Sequence, residues 1–144
     1  MKKRLLWIED DYYAIKGLVR PLELNDFTVD VATSAKDGHK LAQNWQEYDL
    51  LVVDVIVPVS EDDGNVLPEI QKWEDSGEYV GIGLTKWLIT ELKVERPILL
   101  MSVVTDPIKR FGLTDMPNLY YLSKKGLLPS KVKDEVFRIL KIEQ

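Results

Sequence analysis

The chain has 144 residues, 45% hydrophobic and 30% charged, with no cysteine, one histidine and a formal net charge of −5. This is the size and balance of one soluble domain with its own core, and it excludes a disulfide framework, thiolate chemistry and cysteine-ligated zinc, while a lone His39 cannot anchor an imidazole-ligated metal. The apolar runs fall short of a bilayer span, the basic start lacks a cleavable signal pattern and the acidic total disfavours nucleic acid, so a cytoplasmic protein without membrane or direct nucleic-acid contacts is expected.

Residues 3 to 8 form a short apolar run that predicts a strand buried on both faces, β1, stopping at Glu9, Asp10 and Asp11. Ile15, Leu18, Val19 and Leu22 recur at helical spacing over 12–24, with Asp11 placed to cap that helix and Pro21 expected to kink or end it. Residues 27–31 alternate with period two, as a half-exposed edge strand does, giving β2. Thr33 or Ser34 caps a second helix to about Trp45, with Ala35, Leu41, Ala42 and Trp45 turned inward. Leu50 to Val53 is again a buried-strand pattern, β3, ending at Asp54.

Between residues 59 and 80 the periodicity breaks, and Gly64, Pro68 and Gly77 predict an insertion or a long loop. Seven acids stand there (Glu61, Asp62, Asp63, Glu69, Glu74, Asp75, Glu78) against one base, Lys72, so the remainder of the chain is close to neutral. Helical spacing returns with Leu84, Trp87, Leu88 and Leu92, and Ile98 to Met101 form β4, ending at Ser102. Residues 105–117 allow only a brief helix, Asn118 to Leu122 form β5 leading to Lys124, and Ser130 caps a last helix with the stripe Val132, Val136, Phe137 and Leu140. Trp7, Trp45 and Trp87 are expected in the core and His39 at the surface, while Trp73 is either the anchor of the insertion or a partner contact.

Strands alternating with helices at this spacing specify an open parallel sheet covered on both faces, with its ligand site at the C-terminal strand edges. Glu9 and Asp10, Asp54, Ser102 and Lys124 all fall at such edges. Carboxylates held together repel unless a cation neutralises them, and an all-oxygen set suits Mg²⁺. Asp54 is then placed to act as a nucleophile toward phosphorus, with the Lys124 ammonium and the Ser102 hydroxyl beside it.

These residues resemble the receiver domain of two-component response regulators over nearly the whole chain except 59–80. Leu5 to Asp11 is similar to the family's first strand and acidic pair, and Asp54-Val55-Ile56-Val57-Pro58 to its phosphoacceptor motif. Leu100-Met101-Ser102 resembles its hydroxyl-bearing strand, and Tyr121-Leu122-Ser123-Lys124 its aromatic-to-lysine end. The resemblance implies one receiver domain over 1–144, flavodoxin-like and doubly wound, with a five-stranded parallel sheet in the order 2-1-3-4-5 and the acidic insertion after β3. It further implies phosphorylation at Asp54, Mg²⁺ held by Glu9, Asp10, Asp54 and the backbone carbonyl of Ile56, and Ser102 with Tyr121 as a switch pair.

The sequence departs from the family in four respects. Lys125 stands in place of a proline, so a cis peptide bond there is not expected. Val103 replaces a small residue and narrows the entrance, while Ile56 and Val104 are apolar where the family governs attack by water, which implies slow self-dephosphorylation. The fourth departure is the insertion, which gates the site or selects a partner with a basic face.

The implied function is that of a signalling protein rather than an enzyme. It takes a phosphoryl group from a sensor histidine kinase or phosphotransfer protein and, with no output domain expected, acts on a downstream protein target or within a phosphorelay. Two alternatives stay open: a receiver-like scaffold that binds without phosphorylation, and a Mg²⁺-dependent phosphohydrolase.

Overall fold

The computed structural model describes residues 2–57, 68–75 and 79–143. Its five strands are β1 (Lys3–Ile8), β2 (Phe27–Ala32), β3 (Leu50–Asp54), β4 (Ile98–Ser102) and β5 (Leu119–Ser123). They pair in parallel throughout, in the order β2-β1-β3-β4-β5. β3 and β4 are buried along their whole length, as their unbroken Leu, Val, Ile and Met runs require, whereas β2 at one edge is mostly half-exposed.

The helices are α1 (Tyr12–Glu23), α2 (Ala35–Leu41), α3 (Pro68–Asp75), α4 (Val80–Thr90), α5 (Pro107–Arg110) and α6 (Pro129–Leu140). One face of the sheet, with Leu5, Trp7, Val52, Leu99 and Met101, is covered by α1 through Ile15, Val19 and Leu22 and by α6 through Val132, Val136, Phe137 and Ile139. The other face, with Leu6, Ile8, Leu51, Val53 and Leu100, is covered by α2 and by α4 through Ile82, Leu84 and Leu88. Parallel strands force each crossover to one side or the other, and this split leaves the C-terminal strand ends uncovered. No helix among the described residues is long and apolar enough to cross a membrane.

Several sequence expectations are corrected. Residues 68–75 of the expected loop form α3, and α4 begins at Val80, while 58–67 and 76–78, with Pro58, Gly64 and Gly77, lie outside the described residues. Pro21 does not end α1, which runs on to Glu23; with only two residues of the helix beyond it, the hydrogen bond its missing N–H forfeits is lost in the last turn. The second helix ends at Leu41 and continues to Glu47 as a 3₁₀ segment, interrupted by Asn44 at φ −101°, ψ 35°. Ser130 does not cap α6, because Pro129, lacking an N–H, takes the first helical position and Leu128 precedes it.

Trp7 is fully buried, but Trp45 and Trp87 are only half-buried. Arg96 lies over the Trp45 ring, and half-buried His39 stacks on Trp87 with centroids 4.0 Å apart. The described residues contain no cis peptide bond.

Candidate functional site

Glu9 follows the last residue of β1, and Asp54 is the last of β3, the strand beside it. Strand pairing therefore brings the two carboxylates to one rim, and both are buried, Glu9 to 3% exposure and Asp54 to 4%. Asp10, one residue further along, is exposed. Glu9, Asp10 and Asp54 each offer an oxygen within 4.8 Å of the others, and two strand ends and one loop thus form a three-carboxylate group.

Lys124 neutralises part of this charge. β5 ends at Ser123, and the backbone N–H of Lys124 donates to the Ser102 carbonyl at 2.9 Å, which fixes where its side chain starts. Its Nζ donates to Glu9 Oε2 and to Asp54 Oδ2, both at 2.9 Å. The other Asp54 oxygen, Oδ1, accepts from the Ile56 N–H at 3.1 Å. One amide and one ammonium thereby fix the orientation of the carboxylate.

Burial and the neighbouring Asp54 push Glu9 up to about 8, against the opposing pull of Lys124. Burial also opposes the charge on Lys124, but its hydrogen bonds to Asp54 and Glu9 prevail and hold it above the ordinary lysine value. Without a divalent ion, the rim therefore restricts its own charge: one ammonium is shared by two carboxylates, and Glu9 tends to keep its proton.

Ser102 ends β4, is 2% exposed, and its Oγ accepts from the Val104 N–H at 2.8 Å, which leaves the hydroxyl proton available for donation. Tyr121 is 40% exposed on β5 and pairs in register with Leu100, two residues before Ser102, so it stands apart from the carboxylate group. Ile56 and Val103 are 45% and 49% exposed and, with Glu9, Asp10, Asp11, Ala14, Asp54 and Lys124, line an open depression of about 410 Å³. Val103 stands on its rim without closing it. Asp11 caps α1 by accepting from the Ala14 N–H at 3.0 Å.

Three residues that sequence reasoning missed lie in the helix whose first turn packs against the Asp54 backbone. Gly81, Gly83 and Thr85 lie in α4, all buried, and Gly81 abuts the backbone of Asp54 and Val55. Only the absence of side chains at two glycines so close together signalled a tight approach.

A divalent ion fits the donor set. The carboxylate oxygens lie close enough to share one, and hard oxygen ligands are what Mg²⁺ requires.

No family model matches the chain, and no curated protein matches it in sequence. Solved structures do match. The Francisella response regulator 1452 receiver domain is 20% identical, with a TM-score of 0.69 and 97% of this chain and 98% of that one covered. A CheY-like response regulator receiver domain protein from Methanospirillum hungatei is 18% identical, with a TM-score of 0.71 and coverage of 98% and 95%. The chemotaxis response regulator CheY4 of Vibrio cholerae is 17% identical, with a TM-score of 0.71 and coverage of 96% and 99%. The fold is therefore that of CheY-like receiver domains, the five-stranded parallel sheet in the order 2-1-3-4-5 included.

Proposed function

We propose that the protein is a phosphoacceptor signalling module, phosphorylated on Asp54 by a sensor histidine kinase or phosphotransfer protein and read by a downstream protein target. The observation that carries this is the Lys124 ammonium bridging Glu9 and Asp54 at 2.9 Å each, within a three-carboxylate group, at the strand edges of a receiver fold. Bound by Glu9, Asp10, Asp54 and the Ile56 carbonyl, Mg²⁺ would neutralise the charge on the phosphoryl oxygens.

This chain's own residues supply the positioning. An Asp54 carboxylate oxygen attacks the phosphorus of a phosphohistidine in line. The new O–P bond forms as the N–P bond breaks, and the imidazole nitrogen leaves with the electron pair of that bond. The Lys124 ammonium stays within reach of both the carboxylate and the incoming phosphoryl oxygens, and the Ser102 hydroxyl donates to one of those oxygens. The Ile56 N–H holds the attacking carboxylate in plane. The added charge of nearly two units then draws Ser102 inward, and the exposed Tyr121 ring follows, which changes the surface along β4 and β5.

Acetyl phosphate labelling with Mg²⁺, read as intact mass, tests this. Wild type should gain one phosphoryl group and Asp54→Ala none. An unlabelled wild type would favour the scaffold, and turnover of a simple phosphomonoester would favour a hydrolase.

A further inference from the structure

The peptide group joining Val55 to Ile56 is held from both sides. Its N–H, that of Ile56, donates to Asp54 Oδ1 at 3.1 Å. Its carbonyl, that of Val55, accepts from the Gly81 N–H at 3.1 Å, in the first turn of α4. A single amide plane thus relays between a helix N-terminus and one oxygen of Asp54, and hydrogen bonds in such a chain strengthen one another.

The approach leaves no slack. A Cβ at Gly81 would lie 2.1 Å from the Asp54 carbonyl oxygen and 2.5 Å from that of Val55, so the first turn of α4 rests directly on the phosphoacceptor backbone. Fully buried Thr85 reinforces that turn, its Oγ1 donating to the Gly81 carbonyl at 2.7 Å. Two residues beyond Gly81, the bare backbone of Gly83 receives the indole of Trp73 from α3, where a Cβ would lie 2.4 Å from Trp73 Cγ. The first turn of α4 is therefore packed between the Asp54 backbone and the Trp73 ring.

Building on the phosphoacceptor function above, we propose that Trp73 is a positioning residue for Asp54. Its ring against Gly83 holds the first turn of α4, and with it the Val55–Ile56 amide, in the place that orients the carboxylate. The acidic insertion is thereby coupled to the site. Displacing α3 lowers the reactivity of Asp54, and by linkage the state of Asp54 is felt at Trp73. A ring that only anchored the insertion would give stability without either effect.

The full chain labelled with 5-fluorotryptophan provides the test. The fluorine resonance of Trp73, assigned by its loss in Trp73→Phe, should shift when Mg²⁺ and beryllofluoride are added together. Trp73→Ala and Gly83→Ala should each lower the initial rate of acetyl phosphate labelling by about threefold or more. Trp73→Phe, which keeps a flat ring against Gly83, should restore most of the rate. If Trp73→Ala fails to fold, Gly83→Ala and the fluorine shift decide. An unmoved resonance, or folded variants that label at the wild-type rate, overturns the proposal while the phosphoacceptor function stands. A wild type that takes no label overturns both.

Discussion

Glu9 carries the largest electrostatic strain in the rim. Buried beside Asp54, it holds its proton up to about pH 8, against an ordinary value of 4.5. Between those limits the folded chain binds a proton that the unfolded chain has released, so folding opposes deprotonation. The metal-free protein should have this contribution in full below about pH 4.5 and lose it progressively as pH rises to about 8. Urea unfolding in chelator across that range should show the decline, and Glu9→Gln should flatten it; an unchanged slope would place the titrating group elsewhere. On the proposed phosphoacceptor function, Ile56 would set the lifetime of the phosphorylated product. Its half-exposed side chain lines the depression and offers only carbon to a water approaching an aspartyl phosphate. An amide there could orient that water, so Ile56→Asn should shorten the phosphoryl lifetime by roughly threefold or more. Intact mass followed over time checks this, and equal lifetimes would refute it.

At the scale of elements, the fold depends on how closely α4 approaches β3. A helix normally stands off a sheet by the thickness of its side chains, but Gly81 lets the first turn of α4 meet the Asp54 and Val55 carbonyls directly. Gly81→Ala would put a methyl group into backbone that cannot rotate away. It should destabilise the protein by about 3 kcal/mol or more, at the upper end of overpacking costs. Denaturant unfolding should show a lower midpoint with an unchanged slope, and an unchanged midpoint would mean that the helix can shift without loss. Gly38 is a milder case, since the nearest atoms a Cβ there would meet belong to the side chain of Ile8, at 2.9 Å, which has rotamers to yield. The same logic explains what the sequence concealed in this layer. Glycines at 81 and 83 advertise conformational freedom, whereas their use here is close contact, which depends on what the neighbouring element places against them.

Across the whole molecule, the strand ends were legible because strands covered on both faces read as unbroken apolar runs, so the charge that stops each run marks the rim. Glu9 and Asp54 were found that way and Lys124 at the end of the less buried edge strand β5, and the structure brings the three within hydrogen-bonding distance. Helix α3 was not legible, since eight residues opening with a proline and rich in acids give no period to count. Nor was the stacking of His39 on Trp87, which depends on a partner from a distant helix. The meeting of Glu9, Asp10 and Asp54 at one rim decides how the molecule responds to a cation. An ion bound only by the folded rim stabilises it by about 2.7 kcal/mol at one hundred times its dissociation constant. Because Glu9 must first release a proton held up to about pH 8, the stabilisation by Mg²⁺ should be larger at high pH than at low. Asp10 is exposed, so Asp10→Ala should leave the metal-free stability nearly unchanged while removing most of the Mg²⁺ gain. Thermal unfolding in chelator and in Mg²⁺, at about pH 6 and pH 8.5, measures both effects. A gain that persists in Asp10→Ala and ignores pH would place the ion on other acids, and the rim would lose its claim to the metal.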